Sequence, residues 1–222
     1  VAQEVGKRML ARAKGAAPGN YTVRMTVNGG TPQTQTVHVQ KGALTTASEA
    51  DVTEQVNFLL RIRDTVSAAN NAVRTVRNIR YQVDSMKKLM TNGVPDAFTA
   101  AVRVLNDSIT KVEEAIYQTK NQAGQDPLNY PIRLANQIGA LSGFVASGER
   151  RPPPQAYDVW NELVPQLQRE LLRFKRHLAT LLPAVNAALK GAGLPALVPG
   201  TDELGPPPVG RAAPIGVPDD EQ

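Results

Sequence analysis

Apolar residues recur at two different periods along this chain, and the change of period divides it. Between residues 20 and 40 the period is two: Tyr21, Val23, Met25 and Val27 alternate with polar residues, and Val37 and Val39 do so again after Asn28, Gly29, Gly30 and Pro32. This pattern predicts a β-hairpin with one apolar face. A lone hairpin is marginal in water, so that face requires a cover: residues 1–19, the rest of the chain, or another chain.

From residue 48 onward the period is three to four. Ser48 is a candidate N-cap for a helix reaching Asn92. Glu49, Asp51 and Glu54 lie near its start and Lys87 and Lys88 near its end, and Asn92-Gly93 followed by Pro95 forms a stop. Its seam reads Val52, Val56, Leu59, Arg63, Val66, Asn70, Val73, Val76, Arg80, Val83, Lys87 and Met90, with one slip after Asn70. A second helix over about 95–121 carries Phe98, Val102, Leu105, Ile109, Val112, Ile116 and Thr119. A shorter one covers 132–147. A long last one covers about 155–190, with Tyr157, Trp160, Val164, Leu167, Leu171, Phe174, Leu178, Leu181, Val185 and Leu189 on one stripe. Pro165 and Pro183 fall inside it and are expected to kink or split it.

These stripes read as core rather than as partner grooves. The fold class is mainly α: an antiparallel three- to four-helix bundle with long helices, preceded by a β-hairpin and followed by a Pro-rich extended tail. The divisions are 1–44 for the hairpin segment, 45–193 for the bundle and 194–222 for the tail. Pro206, Pro207 and Pro208 lie in that tail, which is too rich in Pro and Gly to build a core of its own. It is expected to lie along its own bundle or to be held by a partner.

The stretch GQDPLNYPIRL at 124–134 interrupts the helical pattern. Asp126 before Pro127 favours a turn, and Pro131 suits the first position of the next helix. Tyr130 can bury its ring between helices while its hydroxyl finds a backbone partner. The expectation is a structural corner of Asp126, Pro127, Tyr130 and Pro131 that sends the chain back along the bundle.

Composition narrows the chemistry. Aromatics are only 5% of the 222 residues, so the core must come from Leu, Val, Ile and Ala, as in helix bundles. The net charge of +5 allows acidic partners, but the basic residues are not interleaved with stacking aromatics, which argues against nucleic acid. The absence of cysteine removes thiol catalysis, disulfides and thiolate metal sites. No apolar run is long enough to span a bilayer. The chain starts at Val1, as expected of a processed or excised piece of a longer product.

His38 and His177, the only histidines, have no ligand-spaced neighbours. Glu113 and Glu114 point about 100° apart on a helix and do not converge, and Glu114 and Gln118 read as a solvated face. No phosphate loop or nucleophile elbow occurs. No catalytic, cofactor-binding or metal-ligating residue is assigned, and the chain is read as non-enzymatic. Arg169, Arg173 and Arg176, at i, i+4 and i+7 in the last helix, form a candidate docking face for acidic protein or anionic lipid headgroups, and peripheral membrane contact is compatible with it.

The 124–134 stretch with the following Ala135-Asn136-Gln137-Ile138 resembles a signature in the C-terminal region of bacterial sortilin-like proteins. These are secreted chains with BNR/Asp-box β-propellers, often labelled glycosyl hydrolases. The resemblance extends to PGNYTVRMTVNG at 18–29, LLRIRDTVSAAN at 59–70 and AGLPALVP at 192–199. It implies that the hairpin derives from a small β-sandwich, that the helices form a C-terminal bundle, and that the protein is periplasmic or secreted. The propeller and its glycosidase acids are absent from this sequence, so no hydrolytic residues carry over. Two roles follow as expectations. One is a structural subunit that braces a larger envelope assembly, for instance a membrane-anchored energy-transducing or photosynthetic complex, docking through hairpin and tail. The other is a support module of a secreted sortilin-like propeller protein that binds glycans or proteins.

Overall fold

The computed structural model describes residues 16–121 and 124–200 of the 222. Among these residues are a two-stranded antiparallel sheet and four α-helices. Strands β1 (Gly19–Met25) and β2 (Gln33–Val39) pair with Tyr21 opposite Val37 and Val23 opposite Gln35. At the loop, Gly30 N–H donates to Val27 O, and Asn28 (φ 49°) and Gly29 (φ 73°) both adopt positive φ. That is the twist a tight hairpin turn requires and the reason for Asn-Gly there.

Helix α1 (Glu49–Leu89) is 41 residues long, about 60 Å at 1.5 Å per residue. Its first turn is closed by a capping box: Ser48 Oγ accepts from Asp51 N (3.1 Å) and Ser48 N donates to Asp51 Oδ2 (3.2 Å). Helix α2 (Asp96–Ile116) returns antiparallel to it, since Arg80 meets Asn106 while Arg77 meets Glu113. The second helix stops five residues before the expected Asn121, because Tyr117 turns to extended backbone (φ −134°, ψ 141°). Gln118 is buried rather than solvated, and its amide donates to Pro131 O (2.9 Å), closing off the segment that follows.

Helix α3 (Leu134–Val145) begins beside the end of α2 and finishes beside the start of α1, where Gln55 Nε2 donates to both Val145 O and Gly148 O (2.6 Å each). It therefore continues in the direction of α2. The stretch 117–133 is an interruption in one descending leg, not a corner that reverses the chain. A 3₁₀ turn occupies Asp126–Leu128, with Asn129 N and Tyr130 N both donating to Asp126 O. Pro131 lies two residues before the N-cap Arg133 and is not the first helical residue. The Tyr130 ring is 37% exposed and carries Lys120 Nζ 5.7 Å from its centroid, so it is not wedged between helices.

Helix α4 (Pro154–Gly191) rises parallel to α1: Tyr157 meets Glu54 at one end, and Asn186 and Gln82 meet the same short segment, 197–198, at the other. The bundle thus has three legs, α1 and α4 rising and α2 with α3 descending. Pro165 and Pro183 neither split α4 nor end it. Both are exposed, so the carbonyls that lose a backbone donor face water, which replaces it. The helix ends in a Schellman turn: Leu194 N donates to Leu189 O and Gly193 N to Lys190 O, with Gly193 at φ 71°.

The core runs along all three legs. Helix α1 contributes more than the expected seam. A second stripe, Phe58, Ile62, Thr65, Ala69, Ala72, Val76, Ile79 and Val83, alternates four and three without a slip and is buried throughout. On α4 the buried residue near the C-terminal end is Leu182, with Leu181 partly covered.

Candidate interaction surfaces

The hairpin is the least covered element. Among the described residues, neither strand packs against any helix. On its apolar face Tyr21, Val23, Met25 and Val37 are between 40% and 55% exposed, and Val27 at the turn is more so. Tyr21 Oη donates to Ala17 O (2.8 Å), and His38 pairs through Nδ1 with Asn20 Oδ1 (2.8 Å) across the strands; no other groups among the described residues claim that histidine. The linker behind the hairpin is anchored. Lys41 Nζ donates to Thr45 O and Ala47 O, Gly42 N donates to Glu149 Oε2 (3.1 Å), and Thr45 Oγ1 donates to Glu149 O (3.0 Å). The linker root is thus fixed to the α3–α4 turn while the strands project from the bundle's lower end.

Beside that root lies a cluster the sequence analysis did not single out. Arg151 Nε reaches Asp51 Oδ1 (2.8 Å) and Glu54 Oε2 (3.6 Å), and Tyr157 Oη donates to Glu54 Oε1 (2.6 Å). Phe58 stacks on Tyr157 at 4.5 Å and meets Trp160 edge-on, with the Arg61 guanidinium over both Phe58 and Trp160. Hydrogen bonds from Ser48 hold the Asp51 carboxyl below the usual carboxylate range. Burial, then the bond to the Glu54 carboxylate, pushes the Tyr157 hydroxyl up to about 12. A phenol held neutral and committed to a carboxylate fastens α1 to α4; it is not poised as a nucleophile or base. Its signal in sequence was Tyr157 and Trp160 on the α4 stripe facing an acidic α1 start.

Higher on the bundle, Glu113 is 3% exposed and receives Arg77 Nε (3.3 Å) and Arg80 Nη1. Arg80 is further bound to Asn106 Oδ1 (2.9 Å) and Thr110 Oγ1 (2.8 Å), and Arg77 lies 5.3 Å from the Tyr117 ring centroid. Above it a cleft of about 420 Å³ opens between α1 and α2, floored by Ile79, Val83, Leu105 and Ile109. Its rim carries both signs, Lys87 and Arg103 beside Asp84 and Asp107, so it selects no charge class of ligand.

Arg169, Arg173 and Arg176 share an exposed face of α4, with Leu172 between them, and Arg173 is paired with Glu170 (3.2 Å). Pro206, Pro207 and Pro208 lie outside the described residues. Asp126, Pro127, Tyr130 and Pro131 are grouped in the mid-leg interruption described above, away from the hairpin. Among the described residues no three His, Cys, Asp or Glu side chains are placed to hold a metal ion, and no helix is long and apolar enough to cross a membrane. No protein-family model, no curated protein and no solved structure matches this chain.

Proposed function

We propose that the chain is a non-catalytic structural and interaction subunit: a stiff three-legged strut that presents its hairpin to a β-sheet of a partner protein. The supporting observation is the hairpin itself, two strands with a half-exposed apolar face, rooted firmly in the bundle but packed against none of the described helices. Two strands alone are marginal, and a sheet face of Tyr, Val and Met is stabilised by stacking on another sheet about 10 Å away. The partner belongs to a larger assembly of the bacterial envelope, an assignment that rests on the sortilin-like resemblance. The basic face of α4 supplies a secondary contact to acidic protein or anionic headgroups.

A second reading keeps the same surface and changes its mate. The missing sheet is then a β-sandwich of a sortilin-like propeller protein of which this bundle is the support module. The hairpin's place on the N-terminal side of the bundle favours it, because a preceding sandwich would lie within reach.

Native-gel fractionation of source membranes and soluble extract, with peptide mapping of each band, tests both. Co-migration with one large complex free of propeller peptides supports the subunit reading, and a Val23→Lys/Val37→Lys chain should leave that band. Constant company with propeller peptides supports the second. A chain that runs as a free monomer in every fraction overturns both.

A further inference from the structure

Beyond the Schellman turn the chain doubles back as a strap, residues 194–200, in the groove between α1 and α4, and two side-chain amides hold it there. Asn186 Oδ1 accepts from Leu197 N (2.8 Å) and its Nδ2 donates to Leu197 O (3.3 Å). Gln82 Oε1 accepts from Val198 N (2.9 Å) and its Nε2 donates to Val198 O (2.8 Å). Asn186 belongs to α4 and Gln82 to α1, so consecutive residues are gripped from opposite walls. That arrangement requires an extended chain, in which the N–H and C=O of one residue point to one side and those of the next to the other. Side chains alternate with the same period. Leu197 is 2% exposed against the core, and Val198 is 62% exposed.

The strap's sequence suits a groove that grips only these two residues. On an extended chain the neighbours sharing Leu197's edge are 195 and 199, and both are proline. Neither has an N–H to leave unpaired, so between them one amide on α4 satisfies the edge. Each proline also disfavours helix at the residue before it, Leu194 and Val198. The segment is thereby stiffened in the shape the groove accepts, which lowers the entropy lost on seating. After Pro199, Gly200 passes Asn78 of α1, whose Nδ2 would stand 3.7 Å from a Cβ there, an ordinary contact. A side chain is therefore tolerated at that end.

We propose that the α1/α4 groove is a recognition site for an extended peptide of the pattern Pro-x-Leu-x-Pro carried by a partner chain, with the protein's own strap as the resident occupant it displaces. The ligand class follows from the contacts. The two amides read backbone, the buried position reads leucine, the flanking prolines leave no orphan donor, and the outward residue is free to vary. A segment joined to its site by a short turn competes at an effective concentration in the millimolar range. A lone peptide therefore displaces the strap poorly, and a partner already anchored to a second surface of the chain displaces it well.

The probe is a synthetic peptide of residues 192–200, AGLPALVPG, blocked at both ends. It is titrated into the full chain carrying Leu197→Asp, which unseats the strap and leaves Asn186 and Gln82 in place. The side-chain amide signals of those two residues should report saturable binding, at least about ten-fold tighter than to the native chain, whose own strap keeps the site filled. A peptide carrying Leu197→Ala should bind about thirty-fold more weakly or worse. Asn186→Leu in the same chain should weaken binding of the unaltered peptide about ten-fold. Equal affinity for the native and Leu197→Asp chains, or no loss with the alanine peptide, places the binding outside the groove and overturns the proposal. So does an absence of binding to a Leu197→Asp chain that keeps its helical circular dichroism. Should that chain lose its helices, Leu197→Ser takes its place and the same outcomes decide.

Discussion

Glu113 shows how much one side chain can hold together. A carboxylate removed from water between α1 and α2 is tolerated because two guanidiniums face it and Arg80 is in turn held by Asn106 and Thr110. Glu113→Ala leaves those donors unmatched and should cost about 3 kcal/mol in urea unfolding. Glu113→Gln keeps the shape and should cost about 1–2 kcal/mol. Equal, negligible losses for both would show that the network contributes nothing to stability. In the sequence its neighbour Glu114 draws attention first, and as a pair the two do not converge. The better signal was its spacing. Ile109, Glu113 and Ile116 share one stripe, and Arg80 sits on the apolar seam of the preceding helix, so opposite charges occupied core positions on consecutive antiparallel helices.

The groups at the base of the bundle respond to pH in opposite directions. With its folded pKa lowered, Asp51 contributes stability above its ordinary value of 3.8, and that contribution is lost as pH falls through the lower folded value. Tyr157, raised from 10.0 to about 12, contributes stability below pH 10 that is lost as pH rises toward 12. The difference in tyrosinate absorbance between wild type and Tyr157→Phe should show a midpoint near 12. A midpoint near 10 would mean that the hydroxyl is not held by Glu54.

At the scale of elements, the helices were legible where large apolar residues mark them and less so where small ones do. The unslipped stripe of α1 runs through Thr65, Ala69 and Ala72, which carry little hydrophobic weight, so the eye follows the valines instead. Pro165 and Pro183 misled in the other direction, because a proline breaks a helix only where its lost hydrogen bond cannot be replaced, and both face solvent. The direction of α3 was not readable at all. It depends on Gln118 reaching Pro131 O and on Gln55 reaching the end of α3, contacts between residues 13 and 90 or more positions apart.

The Pro and Gly content of the strap 194–200 suggests a tail, although Leu194 and Leu197 are spaced to face one groove. Removing the amide of Asn186 strands a buried N–H. Asn186→Ala should therefore speed exchange of the Leu197 amide by about ten- to a hundred-fold while the helices keep their protection. Gln82→Ala, at a more exposed contact, should have a smaller effect on Val198. Unchanged exchange in both would mean that packing of Leu197 alone retains the strap.

For the whole molecule, the period-three-to-four pattern and the single period-two segment were sufficient for a mainly helical bundle with one hairpin in front. The hairpin's independence from that bundle sets a clear expectation. Because Val23 and Val37 are exposed and touch none of the described helices, Val23→Lys/Val37→Lys should move the thermal midpoint of those helices by no more than about 2 °C. A loss of several degrees would mean that the strands support the bundle after all.

The parallel course of α1 and α4 also turns the protein into a length standard. The hairpin's linker, fastened at Gly42 and Thr45, enters the helix at its N-cap Ser48, and the strap is delivered beside Asn78 of the same unbroken helix. Thirty residues of one α-helix separate these two points, about 45 Å along its axis. Anything grasped by the strands and anything seated beside the strap is then kept apart by a rod whose graduations are helical turns. Deleting seven residues from each of the three legs would shorten that spacing by about 10 Å while preserving the side-chain phase.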